Sequence, residues 1–275
     1  MSIKNLLAAR QALKEKALSP NKILIYGDSK TGKTQFVGTA AKMDQIDNIW
    51  WFDLEHGVET LLHSDLTDEQ LEKIHVFNVV DNPNNPVAGE TILKAFTAKQ
   101  PVPICHEHGK VRCPLCGSED KTDWNLISMG KRDLVVIDSG SQLATSVHNI
   151  ALRDGGYKDK RLYYVDSSKM LNDIFTCTQA VNTNIVMITH SLDITDDEGK
   201  ILKTVPLILS QNYSKNVGKY FGQVVYLSVE LRKHKIGSSS TYKPTLLTGS
   251  RTGAKLENAK EYPSMEDLLF PESTT

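Results

Sequence analysis

Residues 22–34 read KILIYGDSKTGKT. Lys22–Tyr26 is apolar and β-rich and predicts a short strand, and Gly27–Thr34 fits G-x-x-x-x-G-K-[ST]. Glycine at each end of the loop lets the backbone curl until its N–H groups point at phosphate oxygens. The helix that begins there adds its positive dipole end. Gly27, Asp28, Ser29, Lys30, Thr31 and Gly32 would then wrap the phosphates of ATP. Lys33 would reach the β- and γ-phosphates and help catalysis, and the Thr34 hydroxyl would hold Mg²⁺.

Outward from this loop, strand-like and helical segments alternate. Lys33–Lys42 predicts a helix, Asn48–Asp53 (NIWWFD) and Ile74–Val80 (IHVFNVV) predict strands, and a helix follows near Pro86–Ala98. Leu134–Asp138 (LVVID) and Asn184–Thr189 (NIVMIT) are continuous apolar runs, as in strands buried on both faces. The stretches 139–152 and 167–182 read as helices. This alternation predicts an α/β fold with a mainly parallel sheet. Toward the C-terminus, Val224–Leu231 and Thr241–Thr248 flank Gly237-Ser-Ser-Ser and read as an antiparallel hairpin.

The expected organisation is an amphipathic N-terminal helix within residues 1–19, a core over 20–255 interrupted by an insertion at 99–124, and a tail over 256–275. In the tail, Ser264–Phe270 predicts a capped short helix packed on the body. With 275 residues and 40% hydrophobic content the chain has enough apolar surface for one large core. A net charge of −1 excludes a whole-molecule attraction to polyanions, so any nucleic-acid site must be local. No apolar run approaches the roughly 18–20 residues of a membrane helix, and the N-terminus lacks a signal-peptide core, so a cytoplasmic place without membrane partners is expected. Four cysteines, three of them within 105–116, suit a reducing compartment better than a disulfide framework.

Three further residues lie at predicted strand ends. Asp138 closes an apolar strand and would hold Mg²⁺ through water. Glu55 follows Trp51-Phe-Asp-Leu, where a carboxylate can polarise an attacking water; Asp53 competes but sits inside the strand and should point partly away. His190 ends the next strand and is placed to sense the γ-phosphate.

The order GDSKTGKT, WFDLEHG, LVVIDSGSQL, VMITHS resembles the ATPase core of RecA-type recombinases over roughly residues 20–250. The resemblance places the catalytic glutamate at Glu55, the Walker B carboxylate at Asp138 and the polar switch residue at His190, where bacterial RecA carries glutamine. The short length and the histidine are most similar to phage-encoded, core-only RecA-like proteins, which are single-strand annealing proteins or recombinases working in the host cytoplasm. The resemblance therefore implies an oligomeric ATPase, ring or filament, that binds single-stranded DNA, with a single-stranded-DNA-binding protein as a further partner. A helicase or RadA-like motor, and a nucleotide switch or scaffold that never touches DNA, remain the alternatives.

Two local features add to this reading. Cys105, His108, Cys113 and Cys116 form C-x2-H-x4-C-x2-C, four soft ligands suited to structural Zn²⁺, with His106 competing for His108's place. Lys110, Arg112 and Lys121 would then meet DNA or a neighbouring subunit, while Cys177 reads as a core residue. Around Gly155-Gly156, residues 153–164 interleave cations and aromatics, with Tyr157, Lys158, Lys160, Arg161, Tyr163 and Tyr164 as candidate DNA contacts. The resemblance puts the first DNA loop there and a second at 191–209, where Lys200 and Lys203 are the useful cations. It also offers Arg232, Lys233, His234, Lys235, Arg251 and Lys255 as cations that reach a neighbour's phosphate, or that simply protect an edge strand by charge.

Overall fold

The computed structural model describes residues 20–82, 85–230, 233–237, 245–251 and 264–269. The expected helix of residues 1–19, Arg232, the turn at 238–240, residues 241–244, Lys255 and the rest of the tail lie outside them.

In chain order, β1 (Lys22–Tyr26) leads into α1 (Lys33–Gly38), which tightens into a 3₁₀ turn over Thr39–Lys42. Then come β2 (Asn48–Asp53), α2 (Asp68–Leu71), β3 (Ile74–Asn78) and α3 (Val87–Thr97). The insertion contributes β4 (Val102–Cys105) and β5 (Lys121–Trp124), and the core resumes with β6 (Asp133–Asp138), α4 (Gly140–Gly155), α5 (Arg161–Ala180) and β7 (Asn184–Thr189). The remainder is β8 (Ser191–Thr195), β9 (Ile201–Pro206), α6 (Gln211–Asn216), β10 (Gln223–Glu230), β11 (Lys233–Gly237), β12 (Gly249–Ser250) and α7 (Glu266–Leu269).

The main sheet runs β11-β10-β1-β7-β6-β2-β3, with β12 also on β10. Every pair from β10 to β3 is parallel; β11 and β12 join β10 antiparallel. This is the α/β P-loop NTPase fold. A parallel sheet needs cover on both faces, and the strand sequences supply it by alternation. Leu24 and Tyr26 of β1, like Val135 and Ile137 of β6, pack toward α3, α4 and α5. Ile23 and Ile25, with Leu134 and Val136, pack on the opposite side against Phe36, Val37 and Met265. Helix α4 earns its place by apolar residues at 143, 147, 150 and 151, one face of a 3.6-residue period. Ser139 caps its start by accepting from the Gln142 N–H (3.2 Å), and Gly156, with φ of 57°, ends it in the left-handed conformation.

Several expectations change. Strand β10 pairs antiparallel with β11, Glu230 opposite Lys233, so Gly237 ends the hairpin's second strand instead of opening its turn. The partner of β10 is therefore Lys233–Gly237, not 241–248; Leu246 instead forms a parallel bridge to Thr204. The segment 191–209 is not an open loop, because β8 and β9 pair as an antiparallel hairpin. Helix α5 starts at Arg161, earlier than position 167, since Arg161–Tyr164 form its first turn. Cys177 is half-buried on α5. The insertion is no separate appendage: Ile104 and Trp124 of its stem are buried in the main core. Among the described residues no helix is long and apolar enough to cross a membrane.

The described part of the tail docks firmly. Met265, Leu268 and Leu269 are buried, and the Met265 N–H donates to Thr39 Oγ1 at 2.9 Å. Leu268→Ala should therefore cost about 2–5 kcal/mol of unfolding free energy, the range for emptying a buried leucine site. Urea denaturation monitored by tryptophan fluorescence measures this; an unchanged midpoint would mean that the tail is not part of the core.

Candidate functional site

The loop Gly27–Thr34 and the residues Glu55, Ser139 and His190 all lie at the C-terminal ends of neighbouring parallel strands, where open α/β sheets place their ligands. Two close approaches shape the loop. A Cβ on Gly27 would stand 2.1 Å from the Leu227 carbonyl oxygen of β10, so only glycine fits. Gly32 has φ of 80°, and His234 of β11 covers it, its Nδ1 donating to the Thr31 carbonyl at 3.1 Å.

Lys33 is 7% exposed, and its Nζ donates to the carbonyls of Gly27 (2.9 Å) and Asp28 (2.6 Å) within its own loop. Burial lowers its pKa, which the charges of Asp138, Asp28 and Glu55 only partly offset. A buried ammonium in a glycine-containing loop that opens a helix suits an anion such as a phosphate. The exposed end of the loop is tied down too, with the Ser191 hydroxyl donating to the Asp28 carboxylate.

Across the tip of β7, Thr34 Oγ1 donates to Asp138 Oδ2 at 2.8 Å. Asp138 is 4% exposed, and burial, aided by repulsion from Asp53 and Glu55, pushes its carboxyl up to about 7. Such a carboxylate gains from a cation, and the Thr34 hydroxyl and Asp138 supply the hard oxygen ligands that Mg²⁺ prefers.

The two competing acids of the second strand separate clearly. Asp53 is buried and accepts from the backbone N–H groups of Glu55 (3.3 Å), Gly57 (3.0 Å) and Val58 (3.2 Å), so it shapes the loop that carries Glu55. Glu55 faces the groove. One carboxylate oxygen accepts from the Ser139 hydroxyl, and the other lies 3.3 Å from His190 Nε2. The His190 hydrogen bond, then Ser139 and the charges of His190 and Lys33, hold Glu55 below the usual carboxylate range against the opposing effect of burial. His190 is itself fixed, its N–H donating to Ser141 Oγ at 3.0 Å while the Ser141 hydroxyl donates to the Leu207 carbonyl beyond β9.

Ser139, Ser141 and Ser191 were not legible as site residues, and His234, offered only as a cation for a neighbouring subunit, instead covers the phosphate loop of its own chain. Ser139 and Ser141 directly follow Asp138 in IDSGS and carry a local signal, because a strand-end acid with hydroxyls at the next helix start brings several polar groups to one point. The contact from His234 to Thr31 carries none, since it spans 203 residues.

The insertion brings Cys105, His108, Cys113 and Cys116 together, with all four ligand atoms within 4.8 Å of one another. His106 is engaged elsewhere: Nε2 meets Thr122 Oγ1 at 2.8 Å, Nδ1 meets the Val76 carbonyl at 3.2 Å, and the ring stacks on Phe77.

The candidate DNA contacts are scattered by comparison. The connection between α4 and α5 is only Gly156–Lys160. Within it Lys158 and Lys160 are exposed, while Arg161 pairs with Asp159 at 2.8 Å and Arg153 with Glu90 at 2.6 Å. The Tyr157 hydroxyl donates to Asp166, and the Tyr163 hydroxyl donates to the Tyr157 carbonyl. Tyr164 differs. It is 48% exposed, lies 4.6 Å from the His148 ring, and lines a groove of about 390 Å³ with Gln142, Thr145, His148, His190 and Glu55. Of the proposed trans cations, Arg251 donates to the Lys219 carbonyl at 3.0 Å.

Residues 19–264 match the model of a family described as AAA domain. No curated protein matches the chain. Among solved structures, an ATPase from the type III secretion system of pathogenic bacteria shares 16% identity, at TM-score 0.46 over 89% of this chain and 60% of that one. EscN from the enteropathogenic E. coli type III secretion system is 16% identical, at TM-score 0.41 over 85% and 48%. The RadB recombinase is 14% identical, at TM-score 0.38 over 79% and 81%. The chain thus spans less than two thirds of the first two, and these likenesses concern the fold alone.

The contact at Gly27 gives a direct test of the loop's geometry. Gly27→Ala drives a methyl into the β10 backbone, which cannot move without disturbing its pairing with β1. Stability should fall by about 1–3 kcal/mol, the range for overpacking, and equilibrium urea unfolding with no loss would refute the close approach.

Proposed function

The chain belongs to the AAA domain family, and from that premise we propose that it binds and hydrolyses ATP with Mg²⁺ and uses the cycle to act on single-stranded DNA as an oligomer. The observation that carries the first part is Glu55, held ionised between Ser139 and His190 and opposite the Thr34–Asp138 pair and the buried Lys33.

Each group has a role in that chemistry. Backbone N–H groups of Gly27–Thr34 and the start of α1 hold the phosphates, and Lys33 turns from its own carbonyls to the β- and γ-phosphates. Thr34 and Asp138 would hold Mg²⁺, which would neutralise charge on the phosphate oxygens. Glu55 accepts the proton of the attacking water, leaving ADP and inorganic phosphate. Ser139 and His190 aim its two oxygens. His190 also joins Glu55 by hydrogen bond to β8, which follows it directly in the chain, so the state of the γ-phosphate has a route into the β8–β9 hairpin.

The DNA part rests on the groove. An exposed aromatic face on Tyr164, backed by His148, offers a stacking surface to an unpaired base in the same groove that ends on Glu55 and His190. Lys158 and Lys160 lie on the neighbouring turn and are available for phosphates. The acid-paired state of Arg153 and Arg161 favours the second reading, a nucleotide switch that does not touch DNA.

Two experiments separate these outcomes. Lys33→Ala should abolish the thermal stabilisation produced by ATP·Mg²⁺, and Glu55→Gln should retain it while hydrolysis falls by about 10²-fold or more, the scale for losing a general base. Should Asp53→Asn rather than Glu55→Gln give that pattern, the base is misassigned. In gel-shift titrations Tyr164→Ala should weaken single-strand binding by about 1–3 kcal/mol with little change in salt slope, whereas Lys158→Ala/Lys160→Ala should flatten that slope by about one to two units. No binding of single strands by the parent protein, with or without ATP, would leave the switch as the function.

A further inference from the structure

We propose that Cys105, His108, Cys113 and Cys116 hold one structural Zn²⁺, and that the metal-locked knuckle caps the open edge of the main sheet. Three thiolates and one imidazole are a closed tetrahedral donor set, and these four already converge to within 4.8 Å of one another before any metal is considered. His108 Nδ1 lies 3.1 Å from Cys116 Sγ and 3.9 Å from Cys113 Sγ. Cys105 Sγ accepts from the Lys110 N–H at 3.4 Å, an outer hydrogen bond that orients a thiolate ligand. The Cys113 carbonyl is likewise held, by Lys121 Nζ at 2.7 Å. Between the two ligand pairs the backbone takes left-handed turns at Gly109 (φ 58°) and Arg112 (φ 54°), which folds a short segment back on itself.

The location gives the site its second role. Among the described residues strand β3 is the last strand of the sheet and pairs with β2 alone. The Lys73 carbonyl and the Val79 N–H bond toward β2, so by strand alternation the carbonyls of Val76 and Asn78 point to the open side. The knuckle meets both. His106 takes the Val76 carbonyl at 3.2 Å and lays its ring on Phe77. Gly109 abuts the Asn78 carbonyl so closely that a Cβ there would stand 2.1 Å from the oxygen, and its own carbonyl accepts from the buried Thr91 hydroxyl of α3 at 2.6 Å. A bare strand edge is a template for pairing with another chain, and here a segment too small to fold unaided covers it. The metal supplies the order that the segment's own few apolar contacts do not.

Full-length protein purified from zinc-supplemented medium should contain about one Zn²⁺ per chain, and the cobalt-substituted protein should show thiolate-to-metal charge transfer with tetrahedral d–d bands. Cys113→Ser/Cys116→Ser should lose the metal. Chelated wild-type protein should melt at lower temperature and convert from its native species to larger assemblies in light scattering, reversing on zinc addition, while retaining ATP-dependent stabilisation when refilled. His106→Ala should keep its zinc yet associate more readily. A zinc-free native protein, or cobalt bands without thiolate character, overturns the site; loss of zinc from His106→Ala overturns the ligand set; chelation without any change in self-association overturns the edge cap. None of these readouts depends on hydrolysis or on DNA.

Discussion

The hydrogen bond from Thr34 to Asp138 is the contact around which the molecule is arranged. It joins the last residue of the phosphate loop to the tip of a strand two places away in the sheet, passing over β7. For the bond to form, β1, β7 and β6 must end at the same level, and their parallel registers bring Tyr26, Thr189 and Ile188 alongside Asp138. A parallel sheet with that level edge requires crossover helices, and the crossovers require apolar residues on both strand faces. The alternation of β1 and β6 between two cores is the sequence's answer to that demand.

Asp53, Glu55 and Asp138 gather at neighbouring strand ends near the buried Lys33, and the fold treats each acid differently. Asp53 is satisfied by three backbone N–H groups and becomes part of the scaffold. Glu55 is kept ionised by Ser139 and His190 and stays open to the groove. Asp138 is the one left short of partners, buried and repelled by the other two, with the Thr34 hydroxyl as its support. That inequality is what assigns roles: scaffold, base and cation ligand are separated by environment although the residues are chemically alike.

Legibility in the sequence followed how local the determining physics was. The strand Asn48–Asp53 could be delimited because polar residues bound a dense apolar run, and Gly27–Thr34 because its chemistry needs those residue types at fixed spacing. The hairpin partner of β10 differs from the expectation because Gly237-Ser-Ser-Ser carries a strong turn signal and Lys233–Gly237 has no apolar alternation to betray an edge strand. Helix α5 begins in a polar, aromatic-rich turn that reads equally well as a loop, which spread the candidate DNA contacts over a region that is mostly helix. His234 and the choice of His108 over His106 depend on contacts between distant segments, which no spacing rule reaches.

The central claim is that Asp138 and Thr34 form the cation-dependent half of a nucleoside triphosphate site. Calorimetric titration of ATP into wild-type and Asp138→Asn proteins, each with and without Mg²⁺, measures it directly. The account predicts that Mg²⁺ strengthens binding to the wild type by at least about tenfold, about 1.4 kcal/mol, and that Asp138→Asn binds metal-free ATP like the wild type while losing that gain. An undiminished Mg²⁺ dependence in Asp138→Asn would contradict it.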